Sequence, residues 1–270
     1  MKDVLTSLVQ TPRTVGALNM HMGEQNRLRE FYQQGAAKML FARQRKGAQG
    51  IYINTAGGLT GGDQLACDLR TSDQTNFTFT TQGCERVYRA LDETPAYVQN
   101  KVAVQDHSVF HWLPQETLFY DGGRLDRRST FDVSSSATAL IVEPILFGRL
   151  AMDEWDLIGY LRDHLILRID GELVFQDLTL FDGQISSQLD KPAVMDGARA
   201  TALILYVSDT AHADVAKIKA LLNATSGASL IRDDVMVTRL IADTGSDLRR
   251  MLAPIIIELT DGNLPKSWRL

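Results

Sequence analysis

The chain has 270 residues, of which 44% are hydrophobic and 23% charged, and its formal net charge is −5. Such a chain can bury its own core, and its acidic balance excludes the usual basic nucleic-acid-binding protein and disfavours an anionic membrane surface as partner. No apolar run approaches the length of a membrane span, and residues 1–16 lack the apolar core of a signal peptide. We therefore expect a cytoplasmic protein.

The predicted elements begin with a weak helix candidate at residues 23–36, GEQNRLREFYQQGA. Beyond it the dominant pattern is a two-residue alternation of apolar and polar side chains, which is typical of strands. The clearest strand segments are residues 75–81, 96–106, 135–149, 165–180 and 199–208. Turns are predicted at four dipeptides that tolerate positive φ. These are Gly122-Gly123, Asp170-Gly171, Asp182-Gly183 and Asp196-Gly197.

Two stronger helices are predicted near the C-terminus. Residues 209–224 place apolar side chains on one stripe, with Asp209 or Thr210 as the N-cap. Residues 244–259 are also helical in pattern, and we expect Pro254 to kink or divide that helix. Many strands with recurring turns and few helices predict a mostly β fold in a single domain, residues 1–270, without βαβ units.

The segment 54–65, NTAGGLTGGDQL, contains four glycines and one carboxylate. It is not a P-loop, because Asp63 and Gln64 stand where the phosphate-binding Lys and Ser/Thr belong. It is not a dinucleotide fingerprint either, because the residues after it predict a strand and not a helix. We interpret the glycines as shaping a sharp turn, and Asp63 as a contact or a transient metal ligand.

Other polar residues favour structural roles. His107 and His111 would lie about 13 Å apart in a strand, too far to share a metal, so we expect surface or core histidines. Cys67 and Cys84 are expected to be reduced thiols without a disulfide. The charged segment 125–132, LDRRSTFD, is interpreted as a solvated strand or turn.

Glu143 and Pro144 interrupt the apolar run ALIVEPILFGR. A carboxylate in a buried strand needs a partner or a polar cavity, because an unpaired buried charge is very costly. Two interpretations stay open here. Pro144 could force a strand end or a bulge, or Glu143 could line an internal polar path.

Five segments in order resemble the urease accessory protein UreD (UreH) family. They are the glycine-rich segment 54–65, TQGCERVYRA (81–90), WLPQETLFYDGGRL (112–125), EPILFGRLAMDEW (143–155) and LPKSWRL (264–270). The match is loose in the turn of the third segment, and the family often has Gly where Asp153 stands and Arg where Lys266 stands. The resemblance extends from about residue 30 to the C-terminus.

The resemblance implies a protein that is not an enzyme. It implies a β-helix-like or stacked β-sheet body with two or three helices, no tightly bound cofactor, and binding to UreF, the GTPase UreG and apo-urease. It also implies assistance in nickel insertion, with nickel transiently in an internal tunnel. An alternative from the residues alone is a β-rich hydrolase or transferase that uses Asp63 and Glu143 as an acid/base pair. A third is an interaction module without metal.

The resemblance also implies site residues. Candidate nickel or tunnel contacts are Asp63, Asp68 and Glu143, since nickel accepts carboxylate ligands. Gln64 departs from the acidic residue that the family often has there. The residues assigned to the structural motif are Gly57, Gly58, Gly61, Gly62, Tyr88, Arg89, Gly148 and Arg149.

Overall fold

The computed structural model describes residues 12–43 and 46–269. Most of residues 1–16, for which the sequence predicts no signal peptide, therefore lie outside the described residues. Strands make up 53% of the described residues and form stacked sheets that resemble a β-solenoid, which confirms the predicted mostly β fold. The strands are β1 (Val15–Gly23), β2 (Arg27–Gly35), β3 (Ala37–Arg43), β4 (Ala48–Asn54), β5 (Gln64–Thr71), β6 (Asn76–Thr81), β7 (Glu85–Val87), β8 (Ala96–Val104), β9 (Val109–Leu113), β10 (Thr117–Phe119), β11 (Arg124–Val133), β12 (Thr138–Phe147), β13 (Ile158–Ile169), β14 (Glu172–Gln184), β15 (Ala200–Val207), β16 (Gly227–Arg232) and β17 (Val235–Ala242).

The strands form two sheets, and the chain alternates between them. The first sheet has seven strands in the order β14-β13-β11-β8-β5-β1-β2. The second has ten, in the order β16-β17-β15-β12-β9-β6-β4-β3, with β10 beside β12 and β7 beside β10. From β4 to β13 successive long strands lie in opposite sheets, and each pairs in parallel with the strand of the next coil. Two parallel neighbours in one sheet are therefore connected through a strand of the other sheet, where a βαβ unit would have a helix.

Antiparallel hairpins flank the parallel strands of both sheets. In the first sheet β1 pairs with β2 at one edge and β13 with β14 at the other. Asp170 and Gly171 join β13 to β14 with φ of 51° and 82°, which confirms the hairpin turn predicted there. In the second sheet β3 pairs with β4, and β12, β15, β17 and β16 pair antiparallel in that order.

The main core lies between the two sheets. Alternate residues of each strand enter it, including Leu18 and Phe131 from the first sheet and Phe77, Trp112 and Ile141 from the second. A second core forms on the other face of the ten-stranded sheet, under the helices. The central strands of the ten-stranded sheet therefore bury apolar side chains on both of its faces, which explains the nearly continuous apolar runs in β12 and β15.

The described residues contain three α-helices, α1 (Ile185–Leu189), α2 (Ala211–Lys219) and α3 (Gly245–Leu259). The prediction for residues 209–224 is confirmed in place, but the helix ends at Lys219 and Leu221 is exposed. The prediction that Pro254 could divide the last helix is wrong, since α3 continues through it. None of the helices in the described ranges is both long enough and apolar enough to span a membrane.

Two local predictions are wrong. Residues 23–36 are not a helix, because a short 3-10 turn at Glu24–Asn26 leads into the edge strand β2. That strand is exposed along most of its length, so it lacks the alternating burial pattern of a strand. Asp182-Gly183 is not a turn between strands, because both residues lie near the end of β14 and pair with β13.

His111 makes stability depend on pH. It is a core residue of β9, 4% exposed, with Nδ1 3.3 Å from Thr78 Oγ1, and burial lowers its pKa to about 4. Between its ordinary pKa of about 6.5 and 4 only the unfolded chain binds this proton, so stability falls as pH falls through that window. We expect a loss of at most about 3 kcal/mol from this group.

Urea unfolding of the wild type and of His111→Gln at several pH values measures this contribution. The variant should lose stability less steeply than the wild type between pH 6.5 and 4. Parallel curves for the two proteins would contradict the assignment.

Candidate functional site

Glu143 lies in the middle of β12, so the interpretation of a strand end or bulge is wrong. The ladder with β15 continues through Pro144, which pairs with Ala202. On its other side β12 pairs with β9 over residues 138–141 and with β10 over 145–147. Pro144 falls between those two partners, where the missing N–H interrupts neither parallel ladder. Glu143 itself is only 5% exposed, and it lines an interior cavity together with Pro114 and Gln115 of the segment between β9 and β10.

Arg127, on the inner face of β11, is the charged partner of Glu143. Its Nη1 lies 2.9 Å from Glu143 Oε2 and donates to Thr117 Oγ1 at 3.1 Å. Its Nε and Nη2 donate to the two carboxylate oxygens of Asp163 at 2.8 and 2.6 Å. Burial lowers the pKa of Arg127, but the Asp163 and Glu143 carboxylates raise it further than burial lowers it, so the guanidinium stays charged.

The Glu143 carboxylate has a second neighbour in the aromatic core. Trp112 Nε1 donates to Glu143 Oε1 at 2.8 Å, and the indole stacks on Phe79 with ring centroids 4.0 Å apart. Oε2 is enclosed and close to Arg127 without hydrogen-bond geometry. Burial raises the pKa of Glu143, and the Arg127 charge opposes that rise. This is a buried carboxylate with unused acceptor capacity.

Three neighbouring spaces have Glu85 or Glu143 in their linings. A surface cleft of about 320 Å³ is bordered by Asn54, Gly57 and Cys84 and ends at Glu85. Glu85 also lines an interior cavity of about 70 Å³, together with Arg127 and Glu143. Glu143 in turn lines a third space of about 150 Å³, whose other polar residues are Asp163, Asp177, Thr179, Thr201 and Arg239. A carboxylate is therefore common to the linings of each neighbouring pair in this series of spaces.

Glu85 stands where the surface cleft meets the interior cavity. Asn54 Nδ2 lies 3.1 and 3.2 Å from its two carboxylate oxygens. Burial raises the pKa of Glu85 to about 7, although the Asn54 hydrogen bond lowers it. At the far end of the series, Arg239 Nη2 donates to Asp177 Oδ1 at 2.6 Å. Each of the three spaces thus has at least one acidic residue and one arginine in its lining.

Asp63 is buried, but neither carboxylate oxygen faces this series of spaces. Oδ1 accepts from the Thr14 backbone N–H at 2.7 Å, and Oδ2 accepts from the Thr60 N–H at 2.8 Å. The carboxylate thus ties the glycine-rich loop to the segment before β1. Asp68 faces outward from β5, with Arg70 Nε 3.3 Å from its Oδ1. The structure does not bring Asp63, Asp68 and Glu143 together.

The residues described here contain no group of three or more His, Cys, Asp or Glu side chains that could hold a metal ion. Cys67 and Cys84 are free thiols, as predicted. Burial raises the pKa of Cys84 to about 11, and its thiol donates to Glu116 Oε2 at 3.3 Å. Among the described residues, the acidic groups therefore do not form a single chelating site.

Comparison with known proteins identifies the family. The family model described as "UreD urease accessory protein" matches residues 15–268. The chain belongs to the UreD urease accessory protein family. The "Urease accessory protein UreD" of Ruegeria pomeroyi is 37% identical over 250 residues, 92% of this chain and 97% of that protein. The protein of the same name from Roseobacter denitrificans is 39% identical over 238 residues, 88% of this chain and 87% of that protein.

The motif residues that suggested a UreD protein converge at one end of the molecule. Gly57, Gly58 and Gly62 have φ of 79°, 152° and 83°, which supports the interpretation that glycine shapes this loop. A Cβ on Gly58 would lie 2.4 Å from the Tyr88 ring. The segments 54–65 and 81–90 are therefore packed against each other.

The Gly-Arg segment reaches the same end. The Arg149 guanidinium lies 4.5 Å from the centre of the Tyr120 ring, and that ring is 5.4 Å from Tyr88. Arg89 forms an ion pair with Asp121. Gly148 has φ of 79°, and a Cβ there would meet the Glu154 carbonyl oxygen at 2.4 Å. Four of the five family segments thus form one structural unit beside the surface cleft.

The sequence analysis missed three charged residues that line or border these spaces, namely Glu85, Arg127 and Asp163. The correction is largest for residues 125–132, whose charges were all interpreted as solvated. Leu125, Arg127, Ser129 and Phe131 face inward, and the residues between them face outward. The two-residue period of this segment was the signal that places Arg127 on the apolar face.

Proposed function

We propose that this chain is a scaffold for urease maturation that binds UreF, UreG and apo-urease in the cytoplasm and assists nickel insertion. In this proposal the three spaces form a passage for nickel, and nickel is not retained as a cofactor. Membership of the UreD accessory protein family supports the maturation role. The observation that carries the passage is the position of Glu143, which lines two successive interior spaces.

The charge balance of the interior supports a cation as the passenger. Four carboxyl groups line the three spaces, against three guanidinium groups. The carboxyl groups are those of Glu85, Glu143, Asp163 and Asp177, and the guanidinium groups are those of Arg86, Arg127 and Arg239. Attraction between opposite charges is much stronger in such an enclosed space than in water. Carboxylate oxygens are also acceptable nickel ligands. A divalent cation is therefore the class of ion that this series of spaces favours.

Weak binding is a requirement of delivery, since a site of high affinity would retain the ion. Two acidic residues line the interior cavity and three line the third space, and the described residues include no chelating group of three. Of the predicted contacts, Glu143 is the one that we carry into this proposal. Asp63 and Asp68 as nickel contacts stay predictions, and their positions outside the series give them no support.

The enzyme alternative has less support. Both Asp63 oxygens accept from backbone N–H groups, and the Glu143 oxygens contact Trp112 and Arg127. An acid/base pair needs carboxyl groups that reach a common substrate, and these two line no common space. The metal-free interaction module remains the alternative that an experiment must separate.

Glu143→Gln tests the passage. The amide keeps the size of the side chain and removes its charge, so we expect urease activation at limiting nickel to fall at least about tenfold. The chain is co-expressed with urease and its accessory proteins, and urea hydrolysis is measured per mole of urease. A pull-down with UreF, UreG and apo-urease should give wild-type recovery of the partners.

Glu172→Gln is the matched control, because Glu172 is exposed at the start of β14, away from the series. It should activate urease as the wild type does. Normal activation by Glu143→Gln, together with intact partner binding, would leave the metal-free scaffold as the function. Loss of partner binding by Glu143→Gln would instead mean that the residue acts through the fold.

A further inference from the structure

The guanidinium of Arg127 lies between residues that line the interior cavity and residues that line the third space. Arg127 and Thr117 border the interior cavity, Asp163 borders the third space, and Glu143 borders both. The guanidinium contacts all three of these neighbours within 3.1 Å. The guanidinium therefore stands on the direct line between the groups of the two spaces that could contact a cation.

The arginine also engages the oxygens that such an ion would use. Both Asp163 oxygens accept hydrogen bonds from the guanidinium, and Glu143 Oε2 is in ion-pair contact with it. The remaining oxygen, Glu143 Oε1, accepts from Trp112. With Arg127 in this position, every carboxylate oxygen of Glu143 and Asp163 already has a polar neighbour. An incoming cation would have to displace one of these neighbours.

We propose that Arg127 closes the passage as a resident cation, and that a divalent metal ion opens it by displacing the guanidinium from Glu143 and Asp163. This inference rests on the proposed nickel passage. A monovalent ion brings no more charge than the arginine it would replace, so it gains nothing by entering. A divalent ion doubles the charge between the two carboxylates, which favours the exchange. Arg127 is thus the residue that sets both the weakness and the charge selectivity of the site.

The neighbourhood provides a place for the displaced side chain. The interior cavity next to Arg127 contains Glu85, whose charge already acts on the guanidinium. Arginine forms bidentate pairs with carboxylates, so Glu85 is a suitable second partner for it. The exchange then leaves the arginine paired while the metal ion holds Glu143 and Asp163.

Nickel binding by the full chain tests the proposal, with the dissociation constant measured by equilibrium dialysis. Arg127→Lys keeps the charge but loses the planar fork that holds two carboxylates at once. We expect it to bind Ni²⁺ at least about fivefold more tightly than the wild type. Arg128→Lys is the matched control, because the neighbouring Arg128 is exposed on the other face of β11, and it should leave the constant unchanged.

Two further variants make the result decisive. In Thr117→Val, the valine has nearly the shape of threonine but lacks the hydroxyl that accepts from Arg127, so this variant should also bind Ni²⁺ more tightly. It serves as the test if Arg127→Lys does not fold. Arg127→Lys combined with Glu143→Gln should lose the gain. Unchanged nickel affinity in both Arg127→Lys and Thr117→Val would overturn the role of Arg127. If the affinity is unchanged in both variants but Glu143→Gln weakens Ni²⁺ binding, only the role of Arg127 is rejected and the proposed nickel passage is kept. If Glu143→Gln also leaves Ni²⁺ binding unchanged, the proposed passage is rejected too.

Discussion

Trp268→Ala is expected to lower the free energy of unfolding by about 4 kcal/mol, within the range for large aromatic residues in cores. Trp268 is 2% exposed and packs into the core between the second sheet and α3. Its Nε1 donates to the Leu113 carbonyl at 3.0 Å, and the Arg249 guanidinium lies 5.3 Å from the centre of its ring. The substitution removes all three interactions and leaves a cavity.

Urea unfolding measures the effect, with Trp155→Ala as the control. Trp155 is 51% exposed, so its removal should change stability by less than about 0.5 kcal/mol. If the two alanine variants were equally stable, the C-terminal segment would not be part of the core. The same segment holds the chain between β9 and β10, since Gln115 Nε2 donates to the Ser267 carbonyl at 2.7 Å.

Gly61→Val is expected to cost about 3 kcal/mol or more, because the new side chain has no space. A Cβ at Gly61 would lie 2.5 Å from the Thr94 carbonyl oxygen and 2.8 Å from the Ala90 Cβ. A backbone atom cannot turn aside as a flexible side chain can, so the loop or the segment around residue 94 must shift. We expect an insoluble protein or one that does not recover UreF in a pull-down.

Gly57→Ala separates steric exclusion from backbone conformation in the same loop. Gly57 has φ of 79°, but a Cβ there meets nothing within 4 Å. Its replacement should therefore cost only the conformational penalty, about 1–2 kcal/mol. A soluble Gly61→Val that binds UreF as well as Gly57→Ala does would show that the close approach at residue 61 is not needed.

The strands could be predicted from the sequence more readily than their partners. Alternation identified strands such as residues 96–106, but parallel pairs such as β8 with β11 join segments far apart in the chain. No local pattern encodes which coil lies beside which, and the β-helix-like arrangement came only from the family resemblance. Strand β2 was missed for another reason. An exposed edge strand buries neither face, so residues 27–35 carry no two-residue alternation of apolar and polar side chains.

The candidate site was predictable where a charge interrupted an apolar run. Glu143 was found because it stands in such a run, whereas Arg127 stands among other charges that face outward. Asp63 was chosen for its glycine neighbours, and the structure gives it two backbone N–H groups instead of a cavity. Whether a carboxylate binds a loop or an ion depends on contacts from distant segments, which local sequence does not contain.

The hairpins at the edges of both sheets limit the length of the coil. An uncapped parallel solenoid ends in a strand that a second chain can extend in the same direction, and fibres can grow from it. Here the outermost strands β2, β3, β14 and β16 run opposite to their neighbours. On β2 the exposed Arg27, Arg29 and Glu30 add charge to that edge. The charges on β2 therefore oppose pairing of that edge with a second chain.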